Sequence, residues 1–370
     1  MLGYLLLLLL FFLFFSLSFY FGVREWRRPC DAVPLPMDVE YVRVENYFGQ
    51  SFRAKMREWL AEAQPDGAPA RDLAGSARVL TPGGEHVLTL AGGRFESRHG
   101  REEIVYSEED LTLGGDSVFR REIYCQRRLE TEAGVKLQSV AADGDLILGA
   151  ANDVARWVDA QGSIAIGSGT VVRSRVSSLA SIALEREVTA RSLYAPRIVT
   201  KYGAAAPDPA ANPGEAEPLL QAPASANDSE TVPPYLEGLR CSRLEQRTWL
   251  VQGDLDLPPG SRVEGNLVVQ GTLTADSDCL FAGDVKAARV KLGDRNRVQG
   301  NLVSNGSLDA GEASFVEKNV AAGRDIRLRS GARVGRADRL AAISAGGEII
   351  LEENVAVCGK AAAGRWIRTV

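Results

Sequence analysis

A short phrase recurs at a fixed spacing through the last third of the chain, and it limits the fold more than any other feature. The phrase joins apolar residues to a turn residue, and its marker positions are Gly265, Gly283, Gly300 and Lys318. The steps between these markers are 18, 17 and 18 residues. A second series of apolar markers keeps the same spacing: Leu255, Leu273, Val290, Leu308 and Ile326. A repeat this short and regular predicts a solenoid in which each period forms one coil.

The residues within each period indicate strands. Apolar and polar residues alternate over short stretches, as in Leu255-Asp256-Leu257 and Ile326-Arg327-Leu328. Such alternation is typical of short strands rather than helices. Three of these stretches in each period of 17–18 residues predict a triangular coil whose strands pair in parallel with those of the next coil. The predicted fold class is therefore an all-β parallel β-helix (β-solenoid).

The turn residues of the repeat are expected at the corners of the coils. Gly265, Gly283 and Gly300 fit corners where a Cβ would clash or where φ is positive. Asn266 and Asn301 are expected at the same corners because asparagine tolerates left-handed geometry.

A fainter repeat precedes the regular one. Leu146, Ile164 and Ile182 follow one another at steps of 18 residues. We predict a first array over residues 109–203 and a second over residues 237–370, each of about five coils. Residues 204–236 hold 7 of the 16 Pro and no Lys or Arg, which predicts a disordered acidic linker. The pattern leaves open whether the arrays form one rod or two rods side by side.

The N-terminal stretch carries no charge between Leu5 and Phe21, and twenty helical residues are long enough to cross a bilayer core. Residues 1–23 are therefore predicted to be a transmembrane anchor that contacts lipid through residues 4–23. The predicted anchor residues are Leu5, Leu10, Phe15 and Phe21, with Arg24, Arg27 and Arg28 as the flank. Positive residues on this side alone place the long C-terminal part in the cytoplasm. A cleaved signal peptide fits less well, since no Lys or Arg precedes the stretch.

Residues 24–108 are predicted to form a juxtamembrane and cap region. Apolar residues at helical spacing predict an amphipathic helix over 44–63, with Arg53 off the apolar stripe. This helix is expected either to lie on a membrane surface or to pack on the globular part and close one end of the solenoid. Residues 78–90 predict a β-hairpin, and residues 104–106 predict a further strand.

Composition and residue types argue against several kinds of chemistry. The net charge of −5 excludes a general nucleic-acid binder, which needs a basic surface. The five Cys are scattered, so neither a disulfide framework nor a zinc site is expected. No His follows His99, so an acyltransferase of the hexapeptide-repeat type would lack its general base. No cofactor or metal is expected, and we predict that the chain is not an enzyme.

Carboxylates give the main enzymatic alternative. A β-helix polysaccharide lyase or hydrolase would need carboxylates that converge on one face. Asp143, Asp145, Asp153 and Asp159 are the candidates for such a group. Aspartate is also a common turn residue, and solvated corners explain these four equally well.

The repeated phrases resemble those of the bactofilins, the polymer-forming family of bacterial cytoskeletal proteins. Residues 250–360 carry the likeness, as in Val263-Glu264-Gly265-Asn266-Leu267 and Val298-Gln299-Gly300-Asn301-Leu302. The resemblance implies a right-handed parallel β-helix, assembly without nucleotide, membrane association and a role as scaffold for envelope or shape-determining proteins. Two arrays and a long cap region depart from the usual single β-helix of that family, and a capped end would block polymerisation through it.

Two surfaces are candidates for interactions. An aromatic and arginine ladder over Trp157, Tyr124, Tyr194 and Arg175 is a candidate partner face. Trp366 and Ile367, in the last coil, form a candidate assembly edge for self-association.

The sequence as a whole predicts a membrane-anchored β-solenoid scaffold. We expect it on the cytoplasmic face of a bacterial inner membrane, with a single span, self-association and an envelope or shape-related protein partner. The alternative is an envelope-polysaccharide enzyme, or a platform for glycans or proteins, built on the same β-helix.

Overall fold

The computed structural model describes residues 46–62, 71–73, 77–81, 84–201, 240–245 and 248–370, together with Phe11. In this part of the chain, helix α1 (Tyr47–Glu62) precedes 34 short strands. The strands before residue 202 are β1 (Arg71–Leu73), β2 (Ala77–Leu80), β3 (Val87–Leu90), β4 (Gly93–Phe95), β5 (Ile104–Ser107), β6 (Leu111–Leu113), β7 (Glu122–Cys125), β8 (Leu129–Thr131), β9 (Lys136–Leu137), β10 (Ser139–Ala142), β11 (Leu146–Leu148), β12 (Asp153–Val154), β13 (Val158–Ala160), β14 (Ile164–Ile166), β15 (Val171–Ser178), β16 (Ser181–Leu184) and β17 (Thr189–Thr200). The strands after residue 239 are β18 (Cys241–Glu245), β19 (Thr248–Val251), β20 (Leu255–Leu257), β21 (Arg262–Val263), β22 (Asn266–Ala275), β23 (Leu280–Phe281), β24 (Val285–Leu292), β25 (Arg297–Val298), β26 (Leu302–Ser304), β27 (Leu308–Ala310), β28 (Phe315–Val316), β29 (Val320–Ala322), β30 (Ile326–Leu328), β31 (Arg333–Val334), β32 (Ala341–Ala345), β33 (Ile349–Leu351) and β34 (Ala356–Thr369).

The strands occupy three faces, and each pairs in parallel with its equivalent one coil further on. Face A of the first array contains β3, β5, β7, β10 and β13, then the middle of β15 and of β17. Face B contains β4, β6, β8, β11, β14 and β16, then the end of β17. Face C contains β9, β12 and the first parts of β15 and β17. The second array repeats the arrangement from β19 to β34, which confirms the predicted parallel β-solenoid.

The solenoid is longer than the sequence predicts. It has about 13 turns in total, against about five predicted in each array. The first array begins at β3, because Leu88 pairs with Val105 in register and Phe95 pairs with Leu113. These pairs place two of the three faces within the predicted cap region, before residue 109. The predicted hairpin is confirmed as β2 and β3, which pair antiparallel.

One part of the predicted fold class is corrected. Apart from Phe11, the predicted span at residues 4–23 and its arginine flank lie outside the described residues. None of the helices among the residues described is long and apolar enough to cross a bilayer. The fold class that the structure supports is the solenoid, without a transmembrane helix.

The core is a single column of inward-facing side chains. Alternate strand residues point inward, and Leu146, Ile164 and Ile182 stack in register at 1% exposure or less. The equivalent column continues through the second array, for example in Leu255, Leu273 and Val290. A single coil cannot enclose such residues, so burial depends on stacking, and the strict spacing of the sequence follows from it.

The predicted glycine corners are confirmed as places of close backbone approach. A Cβ on Gly283 would lie 2.4 Å from the carbonyl oxygen of Gly265, and a Cβ on Gly300 would lie 2.4 Å from the carbonyl carbon of Gly283. Of the three, only Gly265 has a positive φ, at 77°. The need for glycine at the other two is therefore steric.

We expect Gly283→Ala to destabilise the second array by ~3 kcal/mol, because the backbone of the neighbouring coil must move. Gly115→Ala is the matched control, since its new Cβ would come no closer than 3.3 Å to the Ala133 carbonyl oxygen. Urea unfolding of the two variants compares them. Equal midpoints would show that the coils relax without cost.

The explanation predicted for Asn266 and Asn301 is wrong. Neither residue is among those with a positive φ. Their side chains instead join successive coils: the Asp284 amide donates to Asn266 Oδ1 at 2.9 Å, the Asn301 amide to Asp284 Oδ1 at 2.7 Å, and the Asn319 amide to Asn301 Oδ1 at 3.2 Å. The ladder satisfies backbone donors at a corner, where no strand partner is available.

The left-handed residues lie at a different corner. There, one residue per coil has φ between 53° and 76°: Asp116, Gly134, Ala151, Gly169 and Glu187 in the first array, and Gly260, Asp278, Arg295, Ala313, Gly331 and Asn354 in the second. Only four of these eleven are glycine, although the left-handed conformation costs other residues ~1–2 kcal/mol.

This corner allows a reciprocal test of backbone strain. Ala313→Gly should stabilise the protein by ~0.5–1 kcal/mol, because the relief of strain exceeds the added entropy of the unfolded chain. Gly331→Ala, one coil away, should destabilise it by a similar amount. Thermal unfolding measures both, and a destabilising Ala313→Gly would contradict the left-handed assignment.

The two arrays join end to end through their last strands. Strand β17 pairs antiparallel with β34 on all three faces: Leu193 with Ala361 on face A, Ile198 with Val357 on face B and Ala190 with Ile367 on face C. The arrays therefore form one continuous solenoid rather than two parallel rods. At the outer ends, β2 and β18 pair antiparallel with β3 and β19.

The junction is reciprocal, as at a twofold axis. Thr200 Oγ1 donates to the Glu352 carbonyl at 2.5 Å and accepts from the Val355 amide at 2.9 Å. Thr369 Oγ1 makes the same pair of bonds to the Glu185 carbonyl, at 2.6 Å, and to the Val188 amide, at 2.9 Å. Each array thus ends in the same bonding pattern, and each end satisfies the other.

Candidate functional site: the helix-covered face of the first array

Helix α1 lies along face A of the first array, with its axis parallel to the axis of the solenoid. The Arg175 guanidinium lies 5.5 Å from the Phe48 ring centroid, and Phe52 packs against Trp157 and Tyr124 of the preceding coils. The N-terminus of the helix is thus nearer the junction, and the helix runs back toward the first coil. Of the two predicted positions, packing on the globular part is confirmed, but the helix covers a side of the solenoid and not its end.

The lengths of helix and face match. The 16 residues of α1 rise ~24 Å along the helix axis. The strands beneath, from β5 to β15, belong to five successive coils, which at ~4.8 Å per coil also extend over ~24 Å. One side of the helix can therefore meet an outward side chain from every coil that it crosses.

The apolar contact is built from aromatic residues. Met56 is fully buried against the outward-facing side chains of Val87, Ile104, Tyr106, Tyr124, Ala141 and Trp157, and Phe52, Trp59 and Leu60 pack against the same cluster. None of these residues belongs to the inner core column. The helix therefore buries a separate cluster on the outside of the solenoid.

A buried arginine lies at the centre of this contact. The Arg53 side chain is 3% exposed, and its Nε lies 2.6 Å from Asp143 Oδ1. Its Nη1 pairs with the Asp159 carboxylate, which is also 3% exposed, and its Nη2 donates to the Ala142 carbonyl at 2.6 Å. One guanidinium thus bridges carboxylates from two successive coils.

The remaining carboxylate oxygens are also bonded. The Tyr124 hydroxyl donates to Asp143 Oδ2 at 2.7 Å, and the Ser177 hydroxyl donates to Asp159 Oδ2 at 2.5 Å. Burial raises the pKa of Tyr124, and its hydrogen bond to Asp143 raises it further, so the phenol stays protonated as the donor. Both aspartates are fully occupied, and in this arrangement they hold the helix in place.

Gly49 brings the helix close to the sheet. A Cβ at this position would lie 2.2 Å from the Asp159 carboxyl carbon. Glycine is therefore needed for close approach here.

The residues predicted as a partner face divide between two places. Tyr124 and Trp157 are buried under the helix, at 1% and 9% exposure, and Arg175 contacts its N-terminal turn. Tyr194 lies two coils beyond Asp159 in the same row and pairs with Lys360 across the junction. The part of the predicted face near Trp157 is thus covered by the chain's own helix.

The predicted assembly edge is used within the chain. Ile367 is 1% exposed and pairs with Ala190 of the first array, and Trp366, next to it, is half-buried. The predicted anchor residues Leu5, Leu10, Phe15, Phe21, Arg24, Arg27 and Arg28 lie outside the described residues, as does the predicted linker 204–236.

Of the four candidate carboxylates, the structure brings two together. Asp143 and Asp159 meet at Arg53, while Asp153 pairs with Arg173 and Asp145 accepts from the Ser163 amide at 2.7 Å. The role of Arg53 was missed, since its partners are 90 and 106 residues away in sequence. Among the described residues, no group of three or more His, Cys, Asp and Glu is arranged to hold a metal ion.

Comparison of the chain with protein-family models, curated proteins and solved structures finds no match. The bactofilin resemblance therefore stays a prediction.

Proposed function

We propose that the chain is a non-enzymatic structural scaffold, a continuous β-solenoid that presents fixed faces to other molecules. The observation that carries the proposal is the β17–β34 junction, where all three faces of the first array continue into the second. About 13 turns at ~4.8 Å each make a solenoid ~60 Å long. Parallel sheet pairing on three sides resists bending, which suits a spacer better than a moving part.

The arrangement of the carboxylates favours this role over the enzymatic alternative. Asp143 and Asp159 are the two candidate carboxylates that converge, and Arg53 and two hydroxyls occupy their oxygens. A hydrolase of this type needs one carboxylic acid and one free carboxylate beside its substrate. Self-association, in this proposal, uses the outer ends of the solenoid, because Ile367 is already buried in the junction. The bacterial location and an envelope or shape-related partner stay predictions.

Gene replacement in the source organism tests the proposal. A scaffold depends on the continuity of the rod, so a substitution that opens the junction should give the phenotype of a deletion. Single changes of Asp143, Asp145, Asp153 and Asp159 to Asn should leave the phenotype near wild type wherever the protein still folds. A folded Asp→Asn variant with the deletion phenotype would favour the enzymatic alternative and overturn the scaffold.

A further inference from the structure

The helix-covered face has the properties of a site that binds a separate helix. The apolar cluster under α1 shares no residue with the inner core, which runs uninterrupted from Leu88 to Ile367. The coils that carry the face are held by parallel pairing and by their own core. The helix is therefore bound to a surface that is complete without it.

This face differs from its counterpart in the second array. The reciprocal junction pairs Tyr194 with Lys360, and counting coils outward from that pair makes Asp159 equivalent to Asn319 and Tyr124 equivalent to Asp284. In the second array these positions carry the ladder that bonds to the next coil. A helix-binding face is thus a special feature of the first array and not a general property of the solenoid.

The face selects a helix by charge and by shape. Its centre offers two aspartates, and a helix must present a cation at that point to avoid burying them unpaired. Four residues before that cation, the Asp159 carboxyl leaves no space for a Cβ, so glycine is required. An aromatic residue at position 52 and Met56 complete the pattern. The helix that the face demonstrably accepts is Tyr47–Glu62 of this chain.

We propose that face A of the first array also binds helix α1 of a second copy, so that two chains exchange helices and form a closed dimer. Each copy then gives one helix and receives one, as twofold symmetry requires. The contacts are those described above, now made between chains. This inference goes beyond the scaffold role, since a monomer would still be a continuous rod, and its failure would leave the gene-replacement result unchanged.

Charge reversal in the full chain tests the exchange. Arg53→Glu places a carboxylate opposite Asp143 and Asp159, so its helix no longer suits its own face. The double variant Asp143→Lys/Asp159→Lys has the opposite defect. When the two are mixed, each helix matches the face of the other protein, and we expect a species of twice the monomer mass by size-exclusion chromatography with light scattering. The chain that carries all three changes is the control, since its own helix and face match.

The outcomes are distinct. Twofold mass in the mixture, and monomer mass for each variant alone, supports the exchange, whereas a mixture of folded variants that stays at monomer mass overturns it. If either variant fails to fold, a labelled peptide of residues 46–62 added to the wild-type chain decides. Saturable binding that the Arg53→Glu peptide loses by tenfold or more supports the exchange, and no binding of the wild-type peptide overturns it.

Discussion

Replacing Arg53 with alanine is expected to release helix α1 while the solenoid stays folded. The change leaves the buried Asp159 carboxylate, 3% exposed, without its cation. Removing one partner of a buried ion pair typically costs ~3–5 kcal/mol. Because the helix contacts a cluster separate from the inner core, this cost falls on helix docking. Hydrogen exchange should show lost protection over residues 47–62 and unchanged protection in the strands.

Lys55→Ala is the matched control for this prediction. Lys55 is two residues away on the same helix, about half exposed, and pairs with Glu58 at 2.9 Å. Exposed pairs of this kind contribute ~0.5 kcal/mol or less, so the helix should stay docked. If Arg53→Ala and Lys55→Ala protect the helix equally, the buried bridge does not hold it. If Arg53→Ala unfolds the strands as well, the helix and the solenoid are one cooperative unit.

The substitution Ile367→Asp is expected to separate the two arrays. Ile367 is 1% exposed and pairs with Ala190 on one side and Ile349 on the other. An aspartate there would lose apolar burial and place an unpaired carboxylate in the core, at a combined cost of ~4 kcal/mol or more. That energy corresponds to ~1000-fold weaker association of the arrays.

A chain that can be cut between the arrays makes this measurable. A protease site placed within residues 204–236 leaves the β17–β34 pairing to hold the two halves together after cleavage. We expect the cleaved wild-type halves to elute together and the cleaved Ile367→Asp halves to elute apart. Trp366→Glu, one residue away and half-buried, is the control and should keep the halves together. Co-elution of the Ile367→Asp halves would show that the junction does not depend on this residue.

The coil geometry was predictable from sequence because stacking imposes its spacing directly on the chain. Leu255, Leu273 and Val290 recur at 18 and 17 residues, since each must lie above the last in one buried column. The early coils were harder to identify. Their third face begins as a single bridge between Arg101 and Phe119, so only two of three positions keep the period there.

The junction left a signal that was not used. Leu184-Glu185 and Val188 in the first array match Leu351-Glu352 and Val355 in the second, and these are the corners that meet Thr369 and Thr200. Local sequence does not reveal that two such corners face one another, because the pairing joins residues more than 150 positions apart. The Arg53 bridge has the same property, and no repeat marks it.

The antiparallel junction gives the rod two outer ends of the same kind. Each outer end is the first coil of an array, and the last strands of both arrays meet in the middle. The rod therefore has no overall polarity: a partner that recognises the first coils would meet a comparable surface at either end. An assembly of such rods would have no plus or minus end, so growth would proceed alike in both directions.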